Sequence, residues 1–384
     1  MNTKETHTLN NLLAELQHQR EQELDELKKN GRVVTGYFCL YTPPELVEAC
    51  GGVPVRIIGD VNHAHETYGR RFIQRDSCSF CKASIGALIK NENFSCIVSG
   101  TSCDQMRRLH EVIAERAGIP TFLFSNPRTY GKDSTEELFH HEILWIIDEL
   151  TALTGETFSE DLLLERVKKW NALRAFLHKI HNTRKDVFPP LSGKEMFHLI
   201  STAFYLGPDR FLPKIPEIED FITQHKKVYL FEPLRILYAG SIVAPDDDFI
   251  LNLIEDNAHA VIVSDIVCSG VRWFYNLIEE NGNVLKNLCS AYHFKTACPH
   301  RRPNEPLFTF AKTQINDWKP HGILYRTLKF CHPWSFEIKT FKNRFNIPLL
   351  HLDTDYSHSN IGQLRTRILA FLEMIKAKNS IALP

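Results

Sequence analysis

The chain has 384 residues, 43% hydrophobic and 24% charged, so it can bury a core and is not intrinsically disordered. Its 45 Lys and Arg against 46 Asp and Glu argue against a nucleic-acid-binding protein, which usually carries a basic surplus. No apolar stretch of about eighteen residues predicts a membrane span, and the polar N-terminus is unlike a signal peptide. We therefore expect a cytoplasmic protein whose ten cysteines are reduced thiols, available for metal binding or catalysis.

The first part of the chain predicts a helix followed by an α/β lobe. Residues 1–30 predict an amphipathic helix, and residues 31–150 alternate short β-type segments with helical patterns. Strands separated by helical patterns of about ten to fifteen residues are typical of βαβ units and of a parallel sheet. The predicted strands begin at Val33, Val53, Ser95 and Ile119.

The rest of the chain predicts a helical insert and a second lobe. Residues 151–232 have a helical pattern interrupted by prolines, and residues 233–384 return to α/β alternation. We therefore expect an α/β fold with two Rossmann- or flavodoxin-like parallel-sheet lobes that face a cleft, with the helical insert between them. The second set of predicted strands begins at Leu234, Ala258, His321 and Ile347.

The two lobes share an internal repeat centred on a cysteine. In each, a strand leads to the cysteine, then to a helical pattern and to another strand; Cys103 lies 17 positions before Pro120, and Cys331 lies 17 before Pro348. Ligands of open α/β sheets bind at the carboxyl ends of strands, and a helix N-terminus there favours a thiolate. Cys103 and Cys331 are therefore placed to hold an anionic centre jointly. The alternative is that βα units resemble each other through their fold alone.

A Cys-x-x-Cys pair, Cys78 and Cys81, precedes another predicted helix. Such a pair fits zinc, a redox dithiol or chance, although structural zinc usually needs a second close pair, which does not follow here. Three dispersed cysteines fit an iron–sulfur cluster with one open iron. The remaining interpretation is a small buried hydrophobe, which we favour for the four cysteines inside apolar patterns: Cys39, Cys50, Cys96 and Cys289.

Four segments, taken in order, resemble the 2-hydroxyacyl-CoA dehydratase and benzoyl-CoA reductase family. They are VVTGYFCLYTPPELVEACGGVPVRIIG, DSCSFCKASIG, SGTSCDQMRRLHEVIAERAGIP and, near the C-terminus, LKFCHPWSFEIKTFKNRFNIPLLHLDTDYSHSNIGQLRTRILAFLEMI. The resemblance covers about Val33 to Ile375. It implies a 4Fe–4S cluster between the two lobes, held by the residues that match the family motifs, Cys78, Cys103 and Cys331.

The resemblance also implies an activity and partners. Family members eliminate water from a 2-hydroxyacyl-CoA through a ketyl radical. They do so with a second homologous subunit, after a separate ATP-hydrolysing iron–sulfur activator has delivered one electron. The implied chain is then an iron–sulfur subunit of a lyase that acts on an acyl-CoA.

Two further cysteines resemble the double-cubane branch of the same family, whose members are ATP-dependent reductases of small molecules. They are Cys268 in SDIVCSGVRWF and Cys298 in TACPHRRPN. In that branch six cysteines hold two linked cubanes, but one N-terminal cysteine has no match here, so Cys81 or Cys96 would have to replace it. If neither does, Cys268 and Cys298 are core cysteines near the cleft.

Charged residues add one catalytic candidate. Glu45 begins a predicted helix, where a carboxylate interacts favourably with the helix dipole, and this alone would account for it. The matching region of the family lies near the active site, so proton transfer is the candidate catalytic role of Glu45. For the paired arginines we favour solvated surface over a role at the cluster or at CoA phosphates: Arg70, Arg71, Arg107, Arg108, Arg301 and Arg302.

Besides the dehydratase and the reductase, a non-catalytic cluster-binding partner subunit and a zinc-stabilised α/β binding protein remain alternatives.

Overall fold

The computed structural model describes residues 8–89, 93–129, 131–256, 260–295, 298–356 and 360–379. The N-terminal lobe holds a four-stranded, all-parallel sheet in the order β2–β1–β3–β4, which confirms the predicted α/β architecture. Its strands are β1 (Val34–Tyr37), β2 (Val53–Arg56), β3 (Cys96–Gly100) and β4 (Thr121–Phe124). Its helices are α1 (Leu9–Lys29), α2 (Pro44–Ala49), α3 (His63–Gly69), α4 (Ser79–Ile89), α5 (Asp104–Arg116) and α6 (Asp133–Thr154).

The C-terminal lobe repeats this architecture, with a second all-parallel sheet in the order β6–β5–β7–β8. All eight predicted strands are therefore present, although Ala258, the expected start of one, lies outside the described residues. The strands are β5 (Leu234–Gly240), β6 (Ala260–Asp265), β7 (Gly322–Leu328) and β8 (Leu349–Thr354). The helices are α11 (Asp248–Glu255), α12 (Val271–Phe274), α13 (Val284–His293), α14 (Glu305–Trp318), α15 (His332–Arg344) and α16 (Ile361–Asn379).

Helices connect the two lobes. They are α7 (Glu160–Thr183), α8 (Gly193–Leu206), α9 (Pro208–Phe211) and α10 (Ile215–Gln224), with a 3-10 turn over Leu212–Lys214. Helix α1 is amphipathic: four of its five buried leucines join the side chains of α7 and α8 in one apolar cluster. That cluster also contains Tyr41 of the N-terminal lobe and Tyr325 of the C-terminal lobe, so the connecting helices and both lobes share a core.

The strand order fixes where a ligand site can lie. In both sheets the chain leaves the first strand toward one edge and the third strand toward the other, so a crevice opens at the carboxyl ends between β1 and β3, and between β5 and β7. The described helices include none that is both long and apolar enough to cross a membrane.

A buried ion pair ties α2 to the connecting helices. Glu45 and Arg174 are both fully buried and form a salt bridge, and the Tyr292 hydroxyl of α13 donates a 2.8 Å hydrogen bond to the same carboxylate. Burial lowers the pKa of the Arg174 guanidinium, but the charge and hydrogen bond of Glu45 together with Tyr292 and Tyr37 outweigh it, so this pKa is raised. This contact accounts for the burial of Glu45 and joins three separate parts of the chain.

Replacing Glu45 by alanine should leave the Arg174 charge buried without its partner. We expect the free energy of unfolding to fall by about 3–5 kcal/mol, measured by urea denaturation of the metal-free protein. Glu165→Ala is the matched control, because Glu165 pairs with Lys169 at 3.0 Å on the exposed surface and should contribute far less. A Glu45→Ala protein as stable as the control would contradict the prediction.

Candidate functional site

A cavity of about 120 Å³ lies where the carboxyl ends of the two sheets meet. The loops after β1, β2 and β3 line it from one lobe, and those after β5, β6 and β7 from the other. Seven of the ten cysteines contribute to its wall: Cys39, Cys78, Cys81, Cys103, Cys268, Cys298 and Cys331. The rest of the lining is mostly apolar.

The three cysteines that match the family motifs come together in this cavity. Cys103 is the N-cap residue of α5 and Cys331 that of α15, so the repeated positions are equivalent in the structure. Cys78 directly precedes α4, and its thiol is in hydrogen-bond contact with that of Cys331 across the two lobes. We call Cys78, Cys103 and Cys331 the first thiol group.

Electrostatics keep these thiols protonated when no metal is bound. Burial raises the pKa of Cys103, against the Met106 backbone N–H, which lowers it. Contact with the Cys78 thiol, followed by burial, raises the pKa of Cys331 well above its ordinary value. The Cys331 contact lowers the pKa of Cys78, but the Cys81 thiol and burial outweigh it and raise this pKa to about 12. A metal must therefore displace protons to bind here.

A second set of thiols lies in the same cavity. Cys39, Cys268 and Cys298 interact electrostatically with one another, and we call them the second thiol group. Cys39 follows β1 in a left-handed conformation, with φ of 65°, and the Tyr41 hydroxyl accepts a 3.1 Å hydrogen bond from the Cys298 backbone N–H. Burial raises the pKa of Cys268, and that of Cys298 to about 12.

The structure corrects one interpretation and supports others. Cys39, which we took for a core cysteine, is only partly buried and lines the cavity. Cys50, Cys96 and Cys289 do lie in an apolar cluster away from it, so Cys96 is not placed to replace the unmatched cysteine. Cys81 does line the cavity, next to Cys78.

The charged candidates lie elsewhere. Glu45 does not line the cavity, and its carboxylate is engaged by Arg174 and Tyr292; its proton-transfer role stays a prediction. Arg301 departs from the expected solvated surface: it is fully buried and donates to the His293 carbonyl and the Asn126 side chain. The exposed Arg107 and Arg108 both pair with a glutamate of their own helix.

The donor side chains of the cavity suit some metal centres better than others. Among the described residues, no three His, Cys, Asp or Glu side chains converge closely enough to hold a single metal ion. An iron–sulfur cluster has a different requirement, since each thiolate binds a different iron and the sulfurs surround the cluster. Thiols from both lobes line one largely apolar cavity, and thiolates are the donor type that such a cluster uses.

Fold and site together define a two-lobed parallel α/β protein with a thiol-lined cavity between its lobes. The sequence profile of the family described as "2-hydroxyglutaryl-CoA dehydratase, D-component" matches residues 39–375. The chain belongs to this family.

Relatives cover nearly the same length. The chain is 25% identical to the candidate dehydratase subunit YjiM of Escherichia coli strain K12, over 91% of this chain and 93% of the relative. It is 21% identical to the (R)-phenyllactyl-CoA dehydratase beta subunit of Clostridium sporogenes, over 92% and 94%. It is 20% identical to the beta subunit of (R)-2-hydroxyglutaryl-CoA dehydratase of Acidaminococcus fermentans, over 92% and 95%.

The contact between Cys78 and Cys331 predicts a crosslink between the lobes. Cys81 lies next to Cys78 and would compete for it, so it is replaced by serine. In this metal-free Cys81→Ser protein, diamide should take two electrons and two protons from the Cys78 and Cys331 thiols and join their sulfurs. Mass spectrometry of unreduced peptides would identify the link. Cys50 and Cys289, in the apolar cluster, should remain free. A protein in which Cys78 and Cys331 stay reduced while other cavity cysteines pair would contradict this geometry.

Proposed function

We propose that this chain is an iron–sulfur subunit of a 2-hydroxyacyl-CoA dehydratase-type enzyme. The observation that carries the proposal is the meeting of the first thiol group, from three separate parts of the sequence, in one cavity. Membership of the family and the names of the dehydratase subunits support the reaction class.

The proposed reaction removes water from a 2-hydroxyacyl-CoA through a ketyl radical. It requires a second homologous subunit and one electron from an ATP-hydrolysing iron–sulfur activator. A 4Fe–4S cluster, when bound, would carry that electron and offer one iron without a cysteine ligand to a substrate oxygen.

The chain itself supplies the ligands and their surroundings. Cys78, Cys103 and Cys331 would hold the cluster, and backbone N–H groups of α5 and α15 would face two of its thiolates. Apolar side chains, among them Phe80 and Leu328, form part of the wall and keep water away from it. Exclusion of water strengthens each of these electrostatic contacts.

A second candidate function is that of an ATP-dependent double-cubane reductase. The second thiol group favours it, because Cys39 brings the two groups to three cysteines each. Cys39, rather than Cys81 or Cys96, would then replace the cysteine that the sequence lacks.

Removing one cysteine of the first thiol group should abolish cluster incorporation. Cys103→Ser and Cys331→Ser each place a hydroxyl, which stays protonated near neutral pH, where a thiolate is needed. We expect iron and sulfide to be lost from anaerobically purified protein while circular dichroism stays that of the folded chain. Cys50→Ser and Cys289→Ser are the controls and should keep full iron. Full iron in the Cys103→Ser and Cys331→Ser proteins would refute the ligand assignment.

The iron content of the unmodified chain separates the two candidates. About four irons per chain support the dehydratase type, and about eight support the double cubane. Ser at Cys39, Cys268 or Cys298 should leave iron unchanged in the first case and reduce it by about half in the second. A colourless protein that binds zinc alone would contradict both.

A further inference from the structure

Arg56 occupies an unusual place between two cavities. It is the last residue of β2 and only 5% exposed, and it lines both the thiol-lined cavity and an outer cavity of about 330 Å³. Its Nη2 donates a 2.9 Å hydrogen bond to the carbonyl oxygen of Cys268, in the other lobe. Its guanidinium carbon lies 4.6 Å from the centre of the Phe204 ring.

The charge of Arg56 lacks the carboxylate partner that two other buried arginines, Arg174 and Arg326, have. Its Nε and Nη1 are buried without a hydrogen-bond partner, and within the part of the chain that the structure describes it forms no ion pair with a carboxylate. By contrast, Arg174 pairs with Glu45, and Arg326 pairs with Asp247. An arginine cannot lose its proton in a protein, so its buried charge needs an anion nearby.

The anion that would compensate Arg56 is a thiolate-ligated centre bound in the thiol-lined cavity. Cys268 is the cavity cysteine that Arg56 contacts, and a second fully buried guanidinium, Arg272, interacts with Cys268 and Cys298. Two cations thus face the second thiol group, where the lining contributes cysteines and no carboxylate. A centre with several thiolate ligands supplies the negative charge that this arrangement lacks.

We propose that Arg56 is a positioning residue that compensates the negative charge of the centre held in this cavity and fixes the backbone at Cys268. The inference rests on the proposed function insofar as that centre is an iron–sulfur cluster. Arg56 stabilises the reduced state of the centre, because this state carries more negative charge than the oxidised one and attracts the cation more strongly. Without the centre, its charge destabilises the fold.

Replacing Arg56 by methionine should change a different property in each of two forms of the protein: the stability of the metal-free form and the redox potential of the loaded form. In metal-free protein, Arg56→Met removes an uncompensated buried charge and should raise the midpoint of urea unfolding. In anaerobically purified, cluster-loaded protein, Arg56→Met should shift the midpoint potential of the cluster to more negative values, measured by electron paramagnetic resonance during redox titration. Arg56→Lys keeps the charge and should leave the potential closer to that of the unmodified protein.

Arg235→Met is the control, because Arg235 is buried away from the cavity and donates to the backbone carbonyls of Trp318, Arg184 and Asp186. It should lower stability in both forms and leave the potential unchanged. The proposal is overturned if Arg56→Met destabilises the metal-free protein, or if the loaded variant keeps the original potential. An unmodified protein without iron would refute the proposed function alone, since the metal-free measurement still tests Arg56.

Discussion

The site depends on one geometric constraint, that all carboxyl ends of a parallel sheet lie along the same edge. Each sheet brings the loops after its first three strands to that edge, and the two sheets have the same strand order. Because the edges face one another, six loops that are far apart in sequence line one cavity. Cys103 and Cys331 occupy the same step of this pattern, each capping the helix after a third strand.

The cavity combines features that oppose one another in an ordinary core. Its walls are largely apolar, which disfavours charge, yet seven thiols and two guanidinium groups face it or its edge. Thiols satisfy an apolar core only while they are protonated, whereas buried guanidiniums need anions. Thiolates bound to a metal satisfy both demands at once, because they carry negative charge and each forms a bond to the metal. The buried arginines therefore indicate an anionic centre in the cavity as much as the cysteines do.

The sequence predicted the strands and the matching positions of Cys103 and Cys331 because their signals are local: β-type segments, regular spacing, and a cysteine between a strand and a helix. Cys78 joined them only through the resemblance to the family. Cys39 gave a similar signal, since it follows β1 by two residues, but an apolar pattern surrounds it and the left-handed turn that exposes it cannot be inferred from composition. Arg56 was missed because its role depends on a carbonyl 212 positions away. Glu45 was singled out for its place at a helix start, and only tertiary contacts reveal its pairing with Arg174.

The sharing of the first thiol group between lobes has a consequence for biosynthesis. Chains emerge from the ribosome N-terminus first, and their domains fold as units in that order. Cys78 and Cys103 become available with the first lobe, but Cys331 follows β7 and takes its place only once most of the second sheet exists. A cluster bound by all three would therefore be inserted at the end of synthesis or after it, and until then the early thiols would be open to oxidation and to competing metals.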